Sequence, residues 1–501
     1  MKKRCRNQEK KNVFIHMSCL VILLTNLEII KIDAVNGFHS SQYYQPLVVH
    51  GTKPKSKQEV MYKKDFKRRI KSQNKFDNAS FVRMSSLPSN TIISEPEFES
   101  EANDKKKNVA ESVKIPPNFR QISKIEKFAR LPVWPAWNGV FLFLLSKVIG
   151  NELTSQLEDR IGGRVCPNFF TPAETTSPFI MLVHHCHTFA PWDPLRYIQK
   201  SFFPEGFPSH PHRGFITMTY CLKGGMIHRD SAGMKQVYGA ESRHNGKHTQ
   251  WLTTGAGLLH EEMWDIKPRD QNSTILDAIL RFSQPSSQEL YQLWLNLPSD
   301  QKMVPPSVEL LGGDDSTPLV IDTDKDDAMK KTKTLILCGE YADKKASVQT
   351  ASDVTILHVQ MDPGSTWSHI ISASHETAII YMRQGAVTVG ESLENQNDGI
   401  SLNRIDPHYT AYLDKYGEHL SISCSSPSIG ADFLLLTGAP LNEPIQAQGS
   451  MVMNYPDEIN KAYEDYQRGY MGLPWDHRIN DDEWKTHNSK YPSQYSLEEK
   501  K

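Results

Sequence analysis

The chain has 501 residues, and 57 Lys/Arg against 58 Asp/Glu leave a formal net charge of −1. The length has room for about three domain-sized units, and the charge balance offers none of the basic surface that nucleic-acid binding needs. Seven cysteines, at positions 5, 19, 166, 186, 221, 338 and 424, form no Cys-x-x-Cys pair and no regular spacing, which argues against a disulfide framework or a structural zinc site.

Residues 1–37 are organised like an address. Lys2, Lys3, Arg4, Arg6, Lys10 and Lys11 precede an apolar run over 13–27 and a small-residue exit at Ala34-Val-Asn-Gly-Phe38, the order of a signal-like segment. The run is too short, and at Asn26 and Glu28 too interrupted, for a stable membrane span. Between Phe38 and Ile93, eleven Lys/Arg stand against three Asp/Glu among many Ser and Asn, so 38–95 has the composition of a transit segment. A signal-like segment followed by such a stretch, with Phe38 at the junction, resembles the bipartite plastid presequences of algae with secondary plastids. That reading implies delivery to a plastid and a removable first 85 or so residues, ending near Phe81-Val-Arg-Met-Ser85. The alternative is a basic arm behind an uncleaved anchor, with the secretory pathway or cytosol as destination. Residues 96–163 read as a polar linker. Within it Arg130-Leu-Pro-Val-Trp-Pro-Ala-Trp137 interrupts regular structure, and the apolar run over 139–149, followed by helix-like 151–160, predicts an amphipathic helix packed on the domains downstream.

From Val165 onward, short strands are punctuated by Gly, Pro and Asn, predicting an all-β sandwich or barrel. Residues 164–300 form the first unit. Phe215-Ile-Thr-Met-Thr-Tyr-Cys-Leu222 is rich in β-branched and aromatic residues and stops at Gly224-Gly225, a hairpin-type turn. If Ser209 to His212 lies on a strand, the period of two puts His210 and His212 on one face. His260 and Glu262 behave alike, approached through Gly255 and Gly257. Two such pairs facing each other in a small barrel place three imidazoles and one carboxylate around a point, a donor set that suits non-haem Fe(II) with open positions. His228 and Asp230 sit beside a glycine turn and are expected to hydrogen-bond that loop, or to orient a ligating imidazole.

Residues 301–327 are a Pro/Gly/Asp-rich connector. A second unit, 328–472, has strands expected at 332–338, 354–361, 377–381, 386–389 and 433–436, with a turn at Gly385 repeating the plan of the first, a duplication at domain scale. It lacks the metal pattern, so His369, His375 and His408 read as structural. Residues 457–468 predict a helix, with Ile459, Tyr463 and Tyr466 on one face, and 473–501 a loosely packed polar tail containing Trp475 and Trp484.

These segments carry a resemblance. His210-Pro-His-Arg-Gly-Phe215, Thr219-Tyr220, His228-Arg-Asp-Ser-Ala-Gly233 and Gln250-Trp-Leu-Thr-Thr-Gly-Ala-Gly-Leu-Leu-His-Glu-Glu262 resemble the pirin family of bicupins. Tyr291-Gln-Leu-Trp-Leu-Asn-Leu297 with Lys302-Met303 is similar to the end of that family's first domain. Leu434-Leu-Leu-Thr-Gly-Ala-Pro-Leu-Asn-Glu-Pro444, Val452-Met-Asn454 and Asp465-Tyr-Gln-Arg-Gly469 are similar to the end of its second. The resemblance spans 164–472 and implies two cupin-type β-barrels, a short C-terminal helix, and one Fe(II) or other divalent ion on His210, His212, His260 and Glu262. Three departures stand out: Ile216 where the family commonly has Glu, the longer His244-Asn-Gly-Lys-His248 loop, and the histidine-rich His184-His-Cys-His187. The last two are positioned to reshape the pocket mouth.

Two functions use the same four ligands. One is a quercetin 2,3-dioxygenase-like oxidoreductase, in which O2 and a flavonol or other small aromatic enediol occupy the open positions and the Glu262 carboxylate doubles as base. The other is an iron-dependent redox-sensing or regulatory protein that changes its affinity for a protein partner without turnover.

Overall fold

The computed structural model describes residues 118–128, 131–132, 146–150, 162–189, 204–266, 286–325, 327–390 and 403–495, all within the compact unit Gln58–Lys501. The address-like residues 1–95 and most of the expected 139–160 helix lie outside the described residues; 146–149 form a helical turn.

Two cupin-type barrels are each built from a seven-stranded and a four-stranded antiparallel sheet. In the first, Ser307–Leu311, Thr249–Thr253, Phe215–Lys223, Ser286–Asn296, Phe179–Phe189, Gly162–Phe169 and Leu131–Pro132 are neighbours in that order. The four-stranded sheet runs Gly206–His212, Leu258–Trp264, Gly225–Asp230, Lys235–Gly239. The second barrel repeats both orders. Ile122–Lys127, Tyr409–Leu413, Thr377–Gln384, Ala431–Gly438, Val354–Met361, Lys331–Cys338 and Leu319–Thr323 make one sheet, and Thr366–Ile370, His419–Cys424, Val387–Val389 and Arg404–Ile405 the other. The predicted strands of the second unit fall inside these bounds, apart from the first residue of the 386–389 segment. One buried apolar cluster runs from Phe179 and Leu293 of the first barrel through Ile356, Ile380 and Leu435 of the second. Tyr220 Oη lies 2.8 Å from His358 Nδ1, and Asn168 donates to Thr410 across the same junction.

Three expectations are corrected. The linker 96–163 contains the edge strand Ile122–Lys127, which pairs with Tyr409–Leu413 of the distant second barrel. Beside it Arg120, buried, donates to the carbonyls of Gly417, His375 and Asp414 at 2.6–2.7 Å. The connector 301–327 contributes a strand to each barrel, Ser307–Leu311 to the first and Leu319–Thr323 to the second. Half-apolar edge strands five or six residues long carry too little periodicity to be distinguished from loop.

The third correction is the tail. Helix α1 (Pro456–Gln467) matches the predicted one, with Pro456 at its start and Glu458 reaching back to the Tyr455 N–H. Helix α2 (Asp481–Lys490) was not expected. Asn480 caps it by accepting from Asp482 and Glu483 N–H groups at 3.0 Å, and Glu483 returns the contact. Trp475 and Trp484 are 3% and 1% exposed and pack with Leu259, Met451 and Met471. The two tryptophans bury enough apolar surface to order an otherwise polar segment.

Candidate metal centre

His210 and His212 lie on the Gly206–His212 strand, and the Leu258–Trp264 strand runs antiparallel to it with His260 opposite His210. A register shift between His260 and Glu262 puts Glu262 opposite Phe207. On the other side Gly225–Asp230 pairs in regular register, with His260 opposite Asp230 and Glu262 opposite His228. Directly opposed residues share a face, so the period-two expectation holds on three adjacent strands.

The three imidazoles converge. His210 Nε2 stands 3.1 Å from His212 Nε2 and 3.1 Å from His260 Nε2, and one ring nitrogen from each of the three lies within 4.8 Å of the others. Nitrogens about 2.1 Å from a shared ion stand about 3.0 Å apart at a right angle and about 3.4 Å apart at a tetrahedral angle, so the observed spacing fits a divalent ion. His210 Nδ1 lies 2.8 Å from the Pro208 carbonyl; donating there leaves its Nε2 lone pair for a metal. Burial pushes the affinity of all three rings for protons down, most strongly at His212 and His260, while at His210 the Pro208 carbonyl and the Glu262 charge oppose it. The ligands are therefore neutral at physiological pH without metal assistance. Phe215 and Trp294 pack edge-on against His212, with ring centroids 5.1 and 5.3 Å away.

Glu262 is not drawn into this cluster. Its carboxylate is buried and accepts from Thr219 and Tyr238 hydroxyls at 3.2 Å and from Gln292 Nε2 at 2.9 Å. It lies close enough for its charge to act on His210, and coordination would require its side chain to turn. Thr219, Tyr238 and Gln292 were not singled out as site residues. Gln292 sits in the Ser286–Asn296 strand of the opposite sheet, inside the Tyr291–Leu297 motif, but nothing local marks it as a partner of Glu262. His228 and Asp230 behave as expected: the pair is 3.1 Å apart, and the other Asp230 oxygen accepts from Ala232 and Met234 N–H groups in the turn.

The additional histidines lie elsewhere. His185 and His187 pack against Trp264, His244 pairs with Asp265 at 2.7 Å, and His248 contacts Thr317. Ile216 is packed in the core. In the second barrel His375 contacts Thr437 and Asp353, and His369 stacks on Trp367, as structural residues do. His408 departs from that expectation. It closes a second group of metal-capable side chains with Cys166 and His184.

The loop ends beside the ligands are tightly fitted. Gly214 has φ +88°, and a Cβ there would stand 1.9 Å from the Val452 carbonyl oxygen; at Gly257, φ +109°, it would meet Met471 at 2.7 Å. Arg213, fully buried, donates to the Ala256 carbonyl at 2.7 Å and pairs with Asp465 of α1 at 3.0 Å. The C-terminal segment thus locks the strand end that carries His212.

Duplicated antiparallel barrels, one of them holding a convergent histidine cluster, define a bicupin with a candidate metal site. The family model for pirin matches residues 162–295, and that for the pirin C-terminal cupin domain matches 356–472. A pirin-like protein of Solanum lycopersicum is 34% identical over 270 residues, covering 54% of this chain and 78% of that one. Pirin of Homo sapiens is 32% identical over 278 residues, covering 54% and 79%. A solved structure, a quercetin 2,3-dioxygenase from Acinetobacter baumannii, matches with TM-score 0.51 and 26% identity over 71% of this chain and 99% of that one. The chain belongs to the pirin family.

Proposed function

We propose that this chain is a non-haem Fe(II) dioxygenase acting on flavonol-like enediol substrates. The observation that carries the reading is the trio in which His210 Nε2 stands 3.1 Å from the Nε2 of both His212 and His260, beside the buried Glu262 carboxylate. Likeness to a quercetin 2,3-dioxygenase over nearly that protein's full length supports the substrate class. The three imidazoles would hold the ion, with Glu262 as fourth ligand once its side chain turns. When bound, iron supplies Lewis acidity and access to O2 chemistry. The remaining work falls to the chain. Glu262 Oε1 or Oε2 takes the hydroxyl proton of the substrate, and Thr219, Tyr238 and Gln292 hold the carboxylate while it waits. Phe215 and Trp294 exclude water beside His212. Oxygen uptake by anaerobically prepared, Fe(II)-loaded protein on a panel of flavonols and catechols tests the proposal. Uptake with a flavonol is expected; none with any member sinks the enzymatic reading.

Plastid delivery by residues 1–95 is part of the same proposal, supported by the signal-plus-transit composition. A fluorescent protein fused behind residues 1–85 should enter the plastid, and cytosolic retention refutes it.

A further inference from the structure

A cleft about 170 Å³ in volume lies at the junction of the barrels, with Cys166, His184, Lys223, Glu289, Arg383 and His408 in its lining. Cys166 and His184 are directly opposed across the Gly162–Phe169 and Phe179–Phe189 strands, so their side chains share a face. His408 approaches from the second barrel, in the turn before Tyr409–Leu413. Its backbone is held at φ +66° by the Met382 carbonyl, which accepts its N–H, and by the Phe128 N–H, which donates to its own carbonyl. A non-glycine residue is uncommon in that left-handed region, and the surrounding bonds hold it there. One donor atom from each of Cys166, His184 and His408 lies within 4.8 Å of the others.

We propose that Cys166, His184 and His408 form a second metal site, selective for Zn2+, that staples the two barrels together. A sulfur about 2.3 Å and a nitrogen about 2.05 Å from a tetrahedral zinc are about 3.6 Å apart; Cys166 Sγ and His408 Nδ1 are 3.7 Å apart. His184 has the outer support that ligating histidines require. Its Nε2 lies 3.0 Å from the Glu289 carboxylate, which fixes the proton on that nitrogen and turns the Nδ1 lone pair toward the cleft. Tyr381 Oη stands 3.0 Å from His184 Nδ1 and 3.4 Å from His408 Nδ1, where an ion would replace it or bind it as a fourth ligand. The cations in the lining are neutralised: Arg383 forks onto Glu289 and reaches Asp432, and Lys223 pairs with Glu289. A thiolate beside two imidazoles is a donor set that suits zinc. Binding displaces the Cys166 thiol proton.

Cobalt(II) as a spectroscopic substitute separates the two sites, because only a thiolate ligand produces a near-ultraviolet sulfur-to-cobalt charge-transfer band. The metal-free full chain titrated with Co2+ should develop this band and lose it on addition of Zn2+. The His260→Ala variant should keep the band. Cys166→Ser should abolish it, and His408→Ala should weaken Co2+ binding at this site at least about ten-fold. In the His260→Ala background Zn2+ should raise the Tm, and the added Cys166→Ser should remove that rise. Should Cys166→Ser fail to fold, His408→Ala carries the test, since its ring is only half-buried. Absence of the band in the unmodified chain, or its persistence in Cys166→Ser, overturns the proposal. Neither outcome bears on iron at the three-histidine centre.

Discussion

His212 and His260 are buried and His210 is partly so, and each can be tested singly. Replacing His210, His212 or His260 with Ala should lower Fe(II) affinity by more than the roughly 10–100-fold that loss of an outer partner causes. His369→Ala, which removes a ring stacked on Trp367, should leave iron content unchanged. Metal analysis after Fe(II) loading and desalting decides it. Glu262 calls for a different readout. Glu262→Gln keeps the shape and a carbonyl acceptor for Thr219 or Tyr238, but an amide cannot take a proton. Turnover per bound iron should fall, whereas a carboxylate serving only to hold the ion would lower iron content and turnover together. Ile216 offers no substitute carboxylate, being packed in the core.

At the scale of elements, the first and last described segments are each fastened to the barrel distant in sequence. The Ile122–Lys127 strand completes the second barrel, and α1 and the segment that follows it brace the first barrel through Arg213–Asp465 and Trp475–Glu261. Removing one partner of a buried ion pair strands the other, so Arg213→Ala should cost about 3–5 kcal/mol and weaken iron binding through the displaced His212. Trp484→Ala should cost about 3–5 kcal/mol by leaving a cavity. Both are read from denaturant midpoints; losses below about 1 kcal/mol would mean that the tail is peripheral. Deletion of residues 1–85 should leave the midpoint unchanged, but deletion through 128 removes the edge strand and Arg120 and should lower it.

For the molecule as a whole, buried neutral histidines set the acid limit. Desolvation pushes His187 down to about 3 and His369 down to about 4. Between the unfolded value of about 6.5 and these lower values, the unfolded chain takes up protons that the folded chain refuses. Stability is therefore lost as pH falls through that window, by up to about 1.4 kcal/mol per group per unit. His185, His212 and His260 shift in the same direction. Urea midpoints of metal-free protein at pH 7, 6 and 5 should fall monotonically. A flat profile would mean that these rings gain protons in the folded state.

What could be read from the chain alone was whatever depends on local period. Alternation along Ser209–His212 and His260–Glu262 put the candidate ligands on one face, the β-branched runs located most strands, and motifs in both units carried the family resemblance. The apolar face of α1 was legible for the same reason. The rest depended on which distant residues the topology brings together. Cys166 and His408 are 242 positions apart, and Gln292 meets Glu262 only because two sheets face each other. The edge strands at 122–127, 307–311 and 319–323, and the tail ordered around Trp475 and Trp484, take their stability from partners elsewhere. Short half-polar segments have no periodicity strong enough to declare themselves, and only the closed barrels determine what they pair with.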